Sequence, residues 1–156
     1  MELDELKKRY EVLQKKYKLP GFDELNSRFD IGKIERYTGN LLRDIRAVMM
    51  ERIVHYVRLL ELMLNPGQAT PIFMILLREI NNLDKEVMNR VFNGFVSLEL
   101  KSFKLDVDSI DEKEAEHIKE IFEIWNKTRD DLIKLVDIME RNLKSGQKKK
   151  DKDYFN

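Results

Sequence analysis

The 156-residue chain contains no cysteine. That excludes disulfides, thiol nucleophiles, iron–sulfur clusters and cysteine-type zinc sites. Two histidines are all it offers for imidazole chemistry. Glycine is scarce, at 6 residues, and no Gly-x-Gly-x-x-Gly or phosphate-cradling loop occurs. None of the few Ser and Thr residues sits in a Gly-x-Ser-x-Gly setting. Long apolar runs are missing too. Ile53–Leu64 is interrupted by His55, Arg58 and Glu61, and Pro71–Leu77 is short, whereas a membrane span needs ~20 apolar residues. The N-terminal residues Met1-Glu2-Leu3-Asp4-Glu5 are charged and carry no apolar core of a signal peptide, so the expected compartment is the cytoplasm. Nor is there an excess of either charge: 29 basic residues balance 29 acidic ones. A uniformly basic nucleic-acid binder is thereby excluded, but local patches are not.

What is present is enough apolar sequence, 42%, to form a core at 18.7 kDa, the size of one ordinary domain. The pattern is helical. Leu3, Leu6, Tyr10, Leu13 and Tyr17 recur at steps of three and four and predict a first helix, stopped by Pro20-Gly21. Phe22–Phe29 predicts a short helical turn or a linker. A long helix is predicted from Ile34 or Asn40 to Leu64, with Leu42, Ile45, Met49, Ile53, Tyr56, Leu60 and Met63 as its seam. Asp44, Glu51 and Arg58 fall on the opposite face, where solvation is expected. Thr70-Pro71 is a cap followed by proline at the first helical position. The helix it opens, 71–80, is apolar nearly all round and is expected to be the most buried element. Asp84 is read as the cap of the next helix, with Val87, Met88, Val91, Phe92 and Phe95 on one face.

Residues 96–107 fit two patterns. Val96-Ser97-Leu98-Glu99-Leu100 and Phe103-Lys104-Leu105-Asp106-Val107 alternate as a hairpin would, while Phe92, Val96, Leu100 and Phe103 continue a helix. A lone hairpin is marginal in water, which favours helix to about Phe103. Ser109 and Glu112 have capping-box spacing and open a last long helix, 110–143, with the seam Ile118, Ile121, Trp125, Thr128, Leu132, Leu135 and Met139. Lys144-Ser145-Gly146 is expected to end it, leaving a basic, disordered tail at 145–156.

The expected fold is therefore all-α: an elongated bundle of five or six helices with two long ones, 34–64 and 110–143, in a single domain 1–144. Helices of ~31 and ~33 residues would be roughly 46 and 50 Å long. A globule of this size has a radius of gyration of about 15 Å. Seams that long exceed what the short helices can cover, which predicts a homodimer. The competing reading is a monomer whose first helix covers the remaining seam.

Chemistry-bearing residues are few. Glu114 and His117 have the Glu-x-x-His spacing of di-iron bundles, but the matching second motif is absent around His55, and the segment from Asp106 to Glu123 is crowded with acids. A solvated helix start whose carboxylates complement the helix dipole is the expected role. His55 is expected to be partly buried and bonded to backbone or to Glu51. Asp106–Glu112 lacks the glycine and the final carboxylate of a calcium loop. No catalytic, cofactor-binding or metal-binding residue is expected, and no small-molecule substrate.

Basic residues collect at three places. The first twenty residues carry a net +2 and residues 144–156 a net +3; the first long helix holds Arg36, Arg43 and Arg46. Arginines along one helix face can hold phosphates. Arg36, Arg43, Arg46, Lys148, Lys149 and Lys150 are thus the candidate contacts for phosphate or a partner, and Tyr154-Phe155 beyond the lysines is a candidate docking pair.

Leu19-Pro20-Gly21-Phe22-Asp23-Glu24-Leu25-Asn26, then Leu41-Leu42-Arg43-Asp44-Ile45 and Leu60-Glu61-Leu62-Met63-Leu64-Asn65-Pro66, resembles small uncharacterised all-helical proteins of archaeal type. The resemblance runs through most of the chain in order and implies no activity. The functional expectation is a non-enzymatic protein-interaction module or small-complex subunit that self-associates. The alternative is an RNA- or ribosome-associated factor acting through the arginine face and the terminal lysines.

Overall fold

The computed structural model describes residues 2–34, 37–78 and 80–153, with side chains to residue 147. Among the described residues there are six α-helices and no strand: α1 Leu3–Tyr17, α2 Phe22–Phe29, α3 Leu41–Leu64, α4 Pro71–Leu76, α5 Asn82–Val107 and α6 Asp111–Asp153. The all-α expectation holds.

Two compact units make up the chain. The first combines residues 1–56 with 94–126, the second 57–93 with 127–156. The first unit is built on Leu6 and Tyr10 of α1, Phe22, Leu25 and Phe29 of α2, Leu42, Ile45, Met49 and Ile53 of α3, Phe95 and Leu98 of α5, and Ile118 and Ile121 of α6, all buried. Trp125 gathers an aromatic cluster there, with ring centroids 5.6 Å from Phe29, 5.5 Å from Tyr56 and 6.3 Å from Phe95. The Tyr10 hydroxyl donates to the Pro20 carbonyl at 2.6 Å, which lets its polar end enter this core. The second unit buries Val57, Leu60 and Met63 of α3, Met88 and Val91 of α5, and Leu132 and Leu135 of α6.

Helix ends decide several boundaries. α3 starts at Leu41, on the later side of Gly39, because Gly39 turns the chain at φ +102° and Asn40 then accepts the Arg43 amide at 3.1 Å. α5 is capped by Asn81 rather than Asp84: each side chain accepts the other's backbone N–H, at 2.8 and 3.3 Å. No hairpin forms at 96–107. The helix runs through to Val107, four residues beyond Phe103, with Phe95, Leu98, Ser102 and Leu105 facing inward.

α4 differs most from expectation. It is six residues long and buries none of them; Ile72 is 53% and Met74 51% exposed. A helix of under two turns offers one face to a neighbour, however apolar the others are. That face meets α6, where the Asn142 side chain donates to the carbonyls of Leu76 at 2.8 Å and Arg78 at 2.5 Å.

α6 does not stop at Lys144-Ser145-Gly146 but continues to Asp153, so residues 145–153, expected to be irregular, are helical. Gly146 is a packing residue: a Cβ there would lie 3.0 Å from Cγ2 of Ile75 on α4. One glycine costs a helix only about 1 kcal/mol, and the Gln and Lys residues after it are good helix formers. Tyr154 and Phe155 lie outside the described residues.

Candidate functional site

Two features of the first unit stand out: a buried ion cluster joining α3, α5 and α6, and an apolar stripe on the outer face of α5.

Arg46 sits at the centre of the cluster and is 2% exposed. Its Nε donates to Glu114 Oε2 at 2.5 Å and its Nη2 to Asp106 Oδ1 at 2.7 Å, while Nη1 donates to the Ser102 hydroxyl. The Ser109 hydroxyl donates to the second Glu114 oxygen at 2.8 Å. Burial pulls the Arg46 pKa down, but its hydrogen bonds with Asp106 and Glu114 outweigh this and leave it raised. The guanidinium is therefore a fixed cation, with each of its three nitrogens donating to a group of its own chain.

This corrects three expectations. Arg46 is not a surface contact for phosphate. Glu114, fully buried, is no solvated helix-dipole carboxylate, and Ser109 turns its hydroxyl to Glu114 instead of closing a capping box with Glu112. Asp44 is not solvated either: it is 8% exposed and accepts from the Thr38 hydroxyl at 2.6 Å and the Thr38 amide at 3.1 Å.

His117 is next to the cluster and 3% exposed. Its Nδ1 is 3.5 Å from Glu120 Oε2, and neither ring nitrogen has a hydrogen-bond partner. Burial lowers its pKa, opposed by Glu120 and reinforced by the nearby charges of Arg46 and Lys101. Beside it a cleft of about 390 Å³ opens between α5 and α6, bridged by the ion pair from Lys101 to Glu120. His55, expected to be partly buried, is exposed, with its ring edge-on to Tyr56 at 5.6 Å. Among the described residues no three His, Asp or Glu side chains gather where they would hold a metal ion.

The other candidate contacts are scattered. Arg43 is exposed on α3, Lys148, Lys149 and Lys150 belong to the last turns of α6, and Arg36 lies outside the described residues. No helix is long and apolar enough to cross a membrane among the described residues.

The α5 stripe is the feature that periodicity left undecided. Leu100 is 57% exposed, Phe103 56% and Val107 90%; Val96, one turn earlier, is half-buried on the same line. Val96, Leu100 and Phe103 are the helical line read from the sequence, and Val107 belonged to the hairpin reading. In the folded helix they form its outward side, while Leu98, Ser102 and Leu105 take the inward one.

No family model, curated protein or solved structure matches this chain.

Proposed function

We propose that the protein is a non-catalytic interaction module, working in the cytoplasm, that self-associates through the outward face of α5. The observation that carries this reading is the run of three large apolar side chains, Leu100, Phe103 and Val107, left in solvent on one line of a helix whose other side is fully packed. Single exposed apolar residues are ordinary, but a contiguous stripe marks a surface that another protein covers. Full burial of side chains of this size is worth about 1.5–3 kcal/mol each, enough for a small stripe to matter to an association equilibrium. The interior supports the same reading: the charges that would serve chemistry, Arg46 and Glu114, are spent on each other.

Sedimentation equilibrium tests it. The wild-type chain is expected at twice 18.7 kDa, and Phe103→Asp and Val107→Lys, both at exposed positions, at 18.7 kDa with unchanged helicity. A wild-type mass of 18.7 kDa across the micromolar range would overturn the proposal.

A further inference from the structure

The stripe on α5 has a direction written into its borders. Val96, Leu100, Phe103 and Val107 are spaced by four, three and four, the alternation of the a and d positions of a coiled coil, with Leu100 and Val107 at a. Glu99 and Asp106 then occupy the g positions on one flank, and Ser97 and Lys104 the e positions on the other. One flank is thus acidic and the other basic. Asp106 is held by Arg46 of its own chain, but Glu99 and Lys104 have no ion partner of their own among the described residues.

We infer that two copies of this chain pair in parallel along α5, with Glu99 of each copy opposite Lys104 of the other. This rests on the self-association proposed above and adds its orientation. The physical reason is symmetry. When two identical helices run parallel about a two-fold axis, the g flank of one faces the e flank of the other, and a g residue meets the e residue five positions on. Glu99 and Lys104 are five apart, so one such contact forms on each side of the stripe. When the helices run antiparallel, g faces g and e faces e. The carboxylate of Glu99 would then be set against that of Asp106 from the other copy, and Lys104 would face only Ser97. Like charges across such a seam are repulsive. Only the parallel arrangement closes the stripe without that repulsion.

The absence of cysteine makes the orientation directly readable, since any disulfide must come from an introduced residue. Val96→Cys and Val107→Cys, the two ends of the stripe, are made in the full-length chain, one carrying a mass tag, then mixed and oxidised. In a parallel pair each residue faces its own counterpart, within the reach of a disulfide. The expected products are therefore 96–96 and 107–107 dimers. In an antiparallel pair the two Val107 positions would be roughly 16 Å apart and the product would be the mixed 96–107 dimer. The charges supply a second reading. Glu99→Lys and Lys104→Glu are each expected to raise the dimer dissociation constant about tenfold, since every reversal acts at both symmetric contacts, and the double reversal to restore it to within about threefold. Mixed 96–107 products, or a double reversal no better than the single ones, would overturn the parallel pairing while leaving self-association intact. A monomeric wild-type chain would overturn both.

Discussion

Arg46 on α3 and Glu114 on α6 meet at 2.5 Å, with both side chains almost entirely out of water, although 68 residues separate them in sequence. Taking two charges out of water is costly, and their attraction offsets that cost only when the geometry is good and the remaining donors and acceptors are satisfied. Here Ser102 and Asp106 each accept a further guanidinium N–H, and Ser109 donates to the second Glu114 oxygen. The pair fixes how α3, α5 and α6 meet in the first unit.

Breaking the pair from one side is expected to be severe. Glu114→Ala leaves the Arg46 charge buried with one carboxylate instead of two, and should lower unfolding free energy by about 3–5 kcal/mol. Replacing the cluster together, as Arg46→Met, Ser102→Ala and Glu114→Leu, should cost less than Glu114→Ala alone because no buried charge remains. Urea unfolding of the two variants measures the difference.

His117 makes stability depend on pH. Its folded pKa lies below the ordinary 6.5 because burial penalises the charged ring. The unfolded chain therefore takes up the proton first as pH falls. The stabilisation is fully present above about pH 6.5 and is lost as pH drops from there through the folded value. Urea midpoints at pH 8, 6.5 and 5.5 should fall across this series. His117→Gln, which does not titrate, should show a shallower fall between pH 6.5 and 5.5.

Trp125 is the one tryptophan and is ringed by Phe29, Tyr56 and Phe95. Its emission should be blue-shifted in the native protein and move to the red on unfolding, reporting the first unit without labels. Trp125→Ala should cost about 3–5 kcal/mol, while Trp125→Phe keeps part of the aromatic contact and should cost less. Denaturant titration followed by circular dichroism checks both.

Gly146 tests whether the second unit holds α6 helical past residue 144. Gly146→Ala gains up to about 1 kcal/mol of helix propensity but pushes on the Ile75 methyl, 3.0 Å away. Ile75→Ala removes that methyl, so Gly146→Ala should raise the melting temperature more in an Ile75→Ala background than in the wild-type chain. A thermal melt with both variants decides it. Equal shifts in the two backgrounds would show that the contact between α4 and α6 does not constrain this turn.

Much of the fold was legible in the periodicity. The inner positions of α1, α3 and α6 follow the steps of three and four read from Leu6, Leu42 and Ile118 onward, whereas Leu3, the first residue of the α1 seam as read, is exposed. Extending the α6 seam one step back from Ile118 lands on Glu114, and the inner line of α5 through Phe95 and Leu98 lands on Ser102. Charged or hydroxyl residues at inward positions announce a buried polar contact. What those positions do not announce is the partner. Arg46 looked like a surface arginine because arginines on neighbouring turns of α3 suggested a stripe, and burial is set by which helix comes to lie over them.

The helical spacing of apolar residues was sufficient by itself to determine an all-α chain, and the lack of cysteine to exclude disulfides and thiolate metal sites. These are local properties, set by side-chain chemistry and by the 3.6-residue turn. Tertiary structure decided the rest. It turned Leu100 and Phe103 of the helical line on α5 outward, exposed the apolar α4, carried α6 past its glycine, and turned Arg46 from a surface cation into an internal one. Each of these depends on what packs against a residue from far along the chain, and short-range spacing carries no record of that.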